Sequence, residues 1–181
     1  QIVGFLPDAS IAFIDEVFKA NSAILNALLT LLNEREFDNG CTRLRTPLVT
    51  VLAASNEVPE DEAIAAFHDR FLLRCDVQPV GAERFPELLA LPDDMHITVP
   101  DDCRFDHAEL AALRAQAGAV ELPAAVVDLM AALRAWTLEQ GLPVSDRRWR
   151  KLAQLLRIAA HAHGRAAVDL WDCALLAYGV G

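Results

Sequence analysis

The sequence predicts an α/β layer followed by an all-α region, and three observations predict it. Near the start, Ile11-Ala12-Phe13-Ile14 is a continuous apolar run that stops at two adjacent acids, Asp15 and Glu16. A second run, Leu48 to Ser55, stops at Asn56. Apolar runs without alternation read as strands buried on both faces, as in a parallel sheet. From Asp106 onward, capping residues alternate with apolar residues at helical spacing, which reads as helices.

Taken in order, Gly4, Pro7 and Asp8 make a turn-rich lead into the first strand. Asn21 or Ser22 can cap a helix, and Ile24, Leu25, Leu28, Leu29 and Leu32 carry it to about Asn33. Asn39-Gly40 is a strong hairpin signal and places a β-hairpin over about residues 35 to 46. The second strand, Leu48–Ser55, follows, then a short helix over Glu60 to His68 and a third strand over Phe71 to Val77. Residues 82 to 91 read as a short helix interrupted at Pro86, and the Pro- and Asp-rich stretch from Leu91 to Asp102 as a linker with a brief extended piece at His96 to Val99. The first domain is therefore expected over residues 1–103 and the second over 104–181. In the second, Asp106-x-x-Glu109 opens one helix as a capping-box variant. Pro123 starts another that stops at Gly141, Ser145 caps a third that ends before Gly164, and Asp169 opens the last.

Composition narrows the function. The 181 residues are 54% apolar, enough for one good core or two small ones. The most apolar long stretch, Leu122 to Leu138, is broken by Asp128 and Arg134, and no run approaches the roughly 20 residues of a membrane span. A net charge of −10 argues against a nucleic-acid surface. The four cysteines are scattered without a Cys-x-x-Cys pair, which argues against zinc and for reduced thiols in the cytoplasm. His161 and His163, two apart on a helix, do not share a face. The chain begins at Gln1, without a leader, and reads as a piece of a longer protein.

The two acids after the first strand carry the chemistry. Two carboxylates directly after a buried strand cost solvation unless they face a polar cleft at its carboxyl end. In open α/β sheets that edge is where ligands bind. One acid can hold Mg²⁺ and the next can orient a water, as in a Walker B element.

Five stretches in this order extend that reading. They are Phe13-Ile14-Asp15-Glu16-Val17-Phe18-Lys19-Ala20, Leu31-Leu32-Asn33-Glu34-Arg35, Ala53-Ala54-Ser55-Asn56-Glu57, Asp69-Arg70-Phe71 and Val144-Ser145-Asp146-Arg147-Arg148-Trp149. Together they resemble a MoxR-family AAA+ ATPase, closest to the RavA branch, from about residue 4 to 170 and most weakly between 80 and 120. The resemblance implies part of an AAA+ P-loop NTPase parallel sheet followed by a helical lid. It implies ATP and Mg²⁺ as cofactors, and ATP-driven, chaperone-like remodelling in a ring, commonly a hexamer, beside a partner with a von Willebrand factor A domain and a protein client. Asp15 would then match the Walker B aspartate that steadies Mg²⁺, and Glu16 the acid that polarises the attacking water. Asn56 would match sensor 1, since an amide both donates and accepts. Arg70, expected to point outward from a turn, would match the arginine finger. Arg147 would match sensor 2, with Arg148 in reserve. Arg147, Arg148, Arg150 and Lys151 crowd the first turns of the helix capped by Ser145, where cations oppose the helix dipole and a bound phosphate would offset them.

One element departs from the family. The phosphate loop Gly-x-x-x-x-Gly-Lys-[Ser/Thr] is absent, since Lys19 and Lys151 are the two lysines and neither follows a glycine. In the family it lies upstream of Walker B, so these 181 residues alone are expected not to hydrolyse ATP, and the parent protein is. Two rival readings stay open: an AAA+-shaped interaction module without turnover, and a DNA-acting AAA+ relative whose hairpin arginines, Arg35, Arg43 and Arg45, line a pore.

Overall fold

A computed structural model describes residues 6–39, 42–56, 67–92 and 97–180. Its contacts divide the chain into two compact units, Gln1–Phe71 and Leu72–Gly181. In the first, a 3₁₀ turn at Leu6–Asp8 leads into β1 (Ile11–Ile14), and a second at Val17–Lys19 leads into α1 (Ser22–Glu34). The hairpin β2 (Glu36–Asn39) and β3 (Thr42–Arg45) follows, then β4 (Thr50–Ala53). Asn21 caps α1 by accepting from the Ile24 amide at 3.0 Å. Asn39 pairs with Thr42 across the hairpin; Gly40 and Cys41 lie outside the described residues. The helix expected over Glu60 to His68 falls almost wholly outside them too, as does His96.

β1 and β4 pair in parallel, with Ile11 opposite Thr50 and Ile14 opposite Ala53. One face of the pair packs on α1 and its surroundings: Ala12 and Val51 near Leu31 and Leu48, and Ile14 and Ala53 near Val17, Leu28 and Phe67. The other face departs from expectation. Ile11, Phe13 and Leu52 are each more than half exposed. Burial on both faces needs a layer on each side, and among the described residues only one side has it.

The second unit holds α2 (Phe85–Leu89), α3 (His107–Ala117), α4 (Ala124–Glu139), α5 (Asp146–Ala162) and α6 (Ala177–Val180), with 3₁₀ turns at Asp101–Cys103 and Leu170–Leu176. The expected capping box of Asp106 and Glu109 forms in both directions. Gly141 and Gly164 close their helices at φ of +72° and +70°, where a side chain would be strained. Pro86 sits in the first turn of α2 rather than interrupting it. Trp149, Leu152, Leu156 and Ala160 of α5 form the centre of the core with Val120, Val126, Val168 and Leu176.

The third strand expected over Phe71 to Val77 does not form; the segment is irregular. A strand lasts only where ladder partners exist, and this segment's backbone groups are taken by the helices. The Arg74 amide donates to the Tyr178 carbonyl at 2.8 Å. The buried Arg148 guanidinium donates to the Leu72 carbonyl at 2.9 Å and to the Gly179 carbonyl at 2.6 Å. These bonds tie Leu72–Arg74 to the helical unit, and the contacts divide the chain after residue 71. No helix among the described residues is long and apolar enough to cross a membrane.

Arg165 and Asp172 clip the last turns together through two hydrogen bonds of 2.7 and 2.6 Å. The Arg165 hydrogen bonds hold the Asp172 carboxyl below its ordinary range, against the burial that pushes it up. A depressed native pKa gives stability that is present above the unfolded value, about 3.9 for Asp, and is lost as pH falls through the native one. The helical unit should thus weaken below about pH 4, and Asp172→Asn should flatten that part of the profile. All three tryptophans, Trp136, Trp149 and Trp171, lie in this unit, so their fluorescence in denaturant titrations at each pH measures it. Equal acid sensitivity in both proteins would remove Asp172 as a cause.

Candidate functional site

The site is built at the carboxyl ends of β1 and β4. The parallel register carries one step beyond the strands, where the Ala54 amide donates to the Ile14 carbonyl at 2.9 Å and the Val17 amide to the Ala54 carbonyl at 3.2 Å. This lacing sets Asp15-Glu16 beside Ser55-Asn56. Asp15 is exposed, and its Oδ1 accepts from the Glu16 amide at 2.9 Å. Glu16 takes φ +51° and ψ +38°, a left-handed conformation that costs a residue with a Cβ about 1 to 2 kcal/mol. Backbone strain of this kind gathers at functional sites. It turns the Glu16 carboxylate toward the next strand, where Asn56 Nδ2 donates to Glu16 Oε1 at 3.3 Å. The other oxygen, Oε2, is paired with the Lys19 ammonium.

The remaining expected residues lie on other segments of the chain. Arg70 lies in the turn after Phe67-His68, in the first unit. It is half-buried rather than pointing fully outward, and its ion pair is with Asp69 at 3.9 Å. Its Nε is shielded from water and has no hydrogen-bond partner among the described residues, a donor that an incoming anion would satisfy. Arg147 belongs to the second unit and is exposed at the start of α5, whose Ser145 cap accepts from the Arg148 amide at 3.3 Å. Arg148, the reserve, is buried on backbone carbonyls, which gives it a structural post. In the hairpin, Arg43 is paired with Glu36 at 3.3 Å and Glu34 at 3.6 Å, so acids offset its charge.

Known proteins bear on this arrangement. Residues 1–114 match the family described as the MoxR domain in the MoxR-vWA-beta-propeller ternary systems. The chain belongs to the MoxR family. Residues 125–181 match an AAA lid domain, so this MoxR chain joins an AAA+ α/β part to a helical lid. Two uncharacterized proteins of Methanocaldococcus jannaschii are 34% and 35% identical over 174 residues, which is 96% of this chain but 44% and 45% of theirs. The chain thus spans under half the length of these curated relatives. A structural protein of Acidianus two-tailed virus is 36% identical over 72 residues, 39% of this chain and 12% of its own. A solved structure from Cytophaga hutchinsonii, described as a candidate ATPase, shares the fold with a TM-score of 0.71. It has 19% identity and covers 97% of this chain and 58% of its own.

In this MoxR chain the residues suit the family's cofactors in part. Oxygen donors at a sheet edge are the right chemistry for Mg²⁺, which keeps several waters. Among the described residues no group of three or more His, Cys, Asp or Glu could hold a metal ion. Sequence reasoning assigned no role to Lys19. Its signal was its place three residues after Glu16, but the 3₁₀ turn Val17–Lys19 that folds it back is not written in local propensity.

Proposed function

We propose that this chain supplies the Walker B, sensor 1, arginine-finger and lid parts of an ATP-hydrolysing, RavA-type remodelling protein with chaperone-like action. The observation that carries the reading is the Glu16–Asn56 hydrogen bond at the end of a parallel strand pair. It sets a carboxylate base and a neutral amide around one point, as water activation next to a phosphate requires. In this reading the residues act as a catalytic core over 1–103 and a lid over 104–181. Glu16 accepts a proton from the attacking water and Asn56 orients that water. Asp15 would hold Mg²⁺, which when bound would supply positive charge to offset that of the phosphates. Arg70 reaches a neighbouring subunit's nucleotide in a ring, commonly a hexamer. The family's printed association with vWA and beta-propeller proteins supports a von Willebrand factor A-domain partner, and the acidic surface supports a protein client. The scattered free thiols Cys75, Cys103 and Cys173 support a cytoplasmic place. The Arg43 ion pairs disfavour a DNA-threading hairpin.

ATP binding in this reading needs a phosphate loop, which the 181 residues lack. The chain alone should show no saturable ATPase and little thermal stabilisation by Mg-ATP, because a ligand stabilises only a state it binds. A clear, ATP-specific rise in melting temperature would contradict that. In a longer protein that carries the loop, Arg147→Ala should reduce the preference for ATP over ADP, measured by nucleotide titration. Equal weakening for both nucleotides would give Arg147 a lid-packing role instead.

A further inference from the structure

We propose that Lys19 is a positioning residue for Glu16, holding one carboxylate oxygen while Asn56 holds the other; the inference rests on Glu16 being the acid that activates water. Three observations carry it. First, each oxygen of Glu16 has its own donor: Asn56 Nδ2 on Oε1 and the Lys19 ammonium on Oε2. Two donors at opposite corners fix the plane of a carboxylate that is otherwise free to rotate. An ionised carboxylate has about four lone-pair positions, so the clamp leaves acceptor capacity for a water.

Second, Lys19 is not carried on a loose loop. It ends the 3₁₀ turn Val17–Lys19, and its own amide donates to the Glu16 carbonyl at 2.9 Å. Val17 is 2% exposed in the core. Phe18 packs edge-on to Phe67 and His68, with ring centroids 6.3 and 5.5 Å away. The backbone under Lys19 is therefore anchored on both preceding residues.

Third, the two donors come from different places. Asn56 ties Glu16 to the neighbouring strand, and Lys19 ties it to its own turn. The 3₁₀ turn closed by the Lys19 amide on the Glu16 carbonyl brings Lys19 back over Glu16, whose own backbone sits at φ +51°. An ordinary surface ion pair, between two freely moving side chains, has no such frame.

The Lys19 and Glu16 side chains are 54% and 38% exposed, so solvent screens the pair and its effect is modest. The test uses a longer protein with an intact phosphate loop. Lys19→Met keeps the aliphatic stem and removes the charge. It should lower kcat about fivefold, at the upper end for a half-exposed ion pair, with KM for ATP within about twofold and an unchanged melting temperature. Lys19→Arg should recover at least half of the lost rate. In a Glu16→Gln background, Lys19→Met should change the residual rate no further. An unchanged kcat in Lys19→Met overturns the proposal. So does a fivefold loss that persists in the Glu16→Gln background, since Lys19 then acts without Glu16. If Glu16→Gln itself turns over ATP normally, the water-activation reading fails instead.

Discussion

In a longer protein that carries the phosphate loop, Arg70→Ala should leave ATP binding and ring assembly intact and reduce hydrolysis by about 10³ to 10⁵, the scale of an arginine finger supplied by a neighbour. The expectation begins with the guanidinium, a fixed fork of five donors that stays charged at any working pH and matches phosphate oxygens. In this chain that fork is not fully used. Asp69 stands 3.9 Å away, at the limit of an ion pair, and Nε is shielded with no acceptor among the described residues. Phe71, one residue on, packs against Phe67 at 5.3 Å in the core of the first unit, so the turn that carries Arg70 is fixed. The decisive measurement is a mixing experiment. Arg70→Ala subunits keep Glu16, and Glu16→Gln subunits keep Arg70. In a mixed ring, a site with intact Glu16 can receive Arg70 from its Glu16→Gln neighbour, and activity should rise above the sum of the two parents. If mixtures with confirmed subunit exchange never exceed that sum, Arg70 does not act in trans. A loss of assembly in Arg70→Ala would show instead that the Asp69 pairing and the turn are its role.

The residues that were legible in the sequence are those whose signals are local. Asn21, Asp106 with Glu109, Ser145 and Asp169 each cap the helix they were expected to cap, because a cap is decided within three residues. The Glu16–Asn56 meeting was legible for another reason: two apolar runs that both end in polar residues align their ends once they pair in parallel. What failed was decided at long range. Phe71 to Val77 has strand composition, yet Arg148 and the Tyr178 carbonyl, far along the chain, take its first backbone groups. The apolar runs predicted two covered faces, but a second covering layer is not a property of the strand itself. The burial of Arg148 and the exposure of Arg147 were legible as well. Counting back by fours from the buried Ala160, Leu156 and Leu152 reaches Arg148, which places Arg148 inside and Arg147 outside.

Glu16→Gln in a longer protein that carries the phosphate loop should bind ATP normally and hydrolyse it at least about a hundredfold more slowly, the usual cost of losing a positioned base. The substitution isolates the chemistry because it changes little else. Glutamine keeps the volume and the oxygen that accepts from Asn56 Nδ2, now at 3.3 Å, so the link between the two strand ends survives. The Val17 and Phe18 packing that anchors the turn is untouched, and the fold should melt within a degree or two of the parent. Two things are lost: the lone pairs that take a proton from water, and the charge that pairs with Lys19. An amide is not basic, so no rearrangement of the side chain replaces the first. Nucleotide titration and single-turnover hydrolysis separate binding from chemistry. Normal binding with a hundredfold slower single turnover assigns Glu16 to the chemical step. Near-normal turnover removes it from the mechanism, and a loss of binding equal to the loss of rate makes Glu16 a ligand for the nucleotide and its ion, not the base.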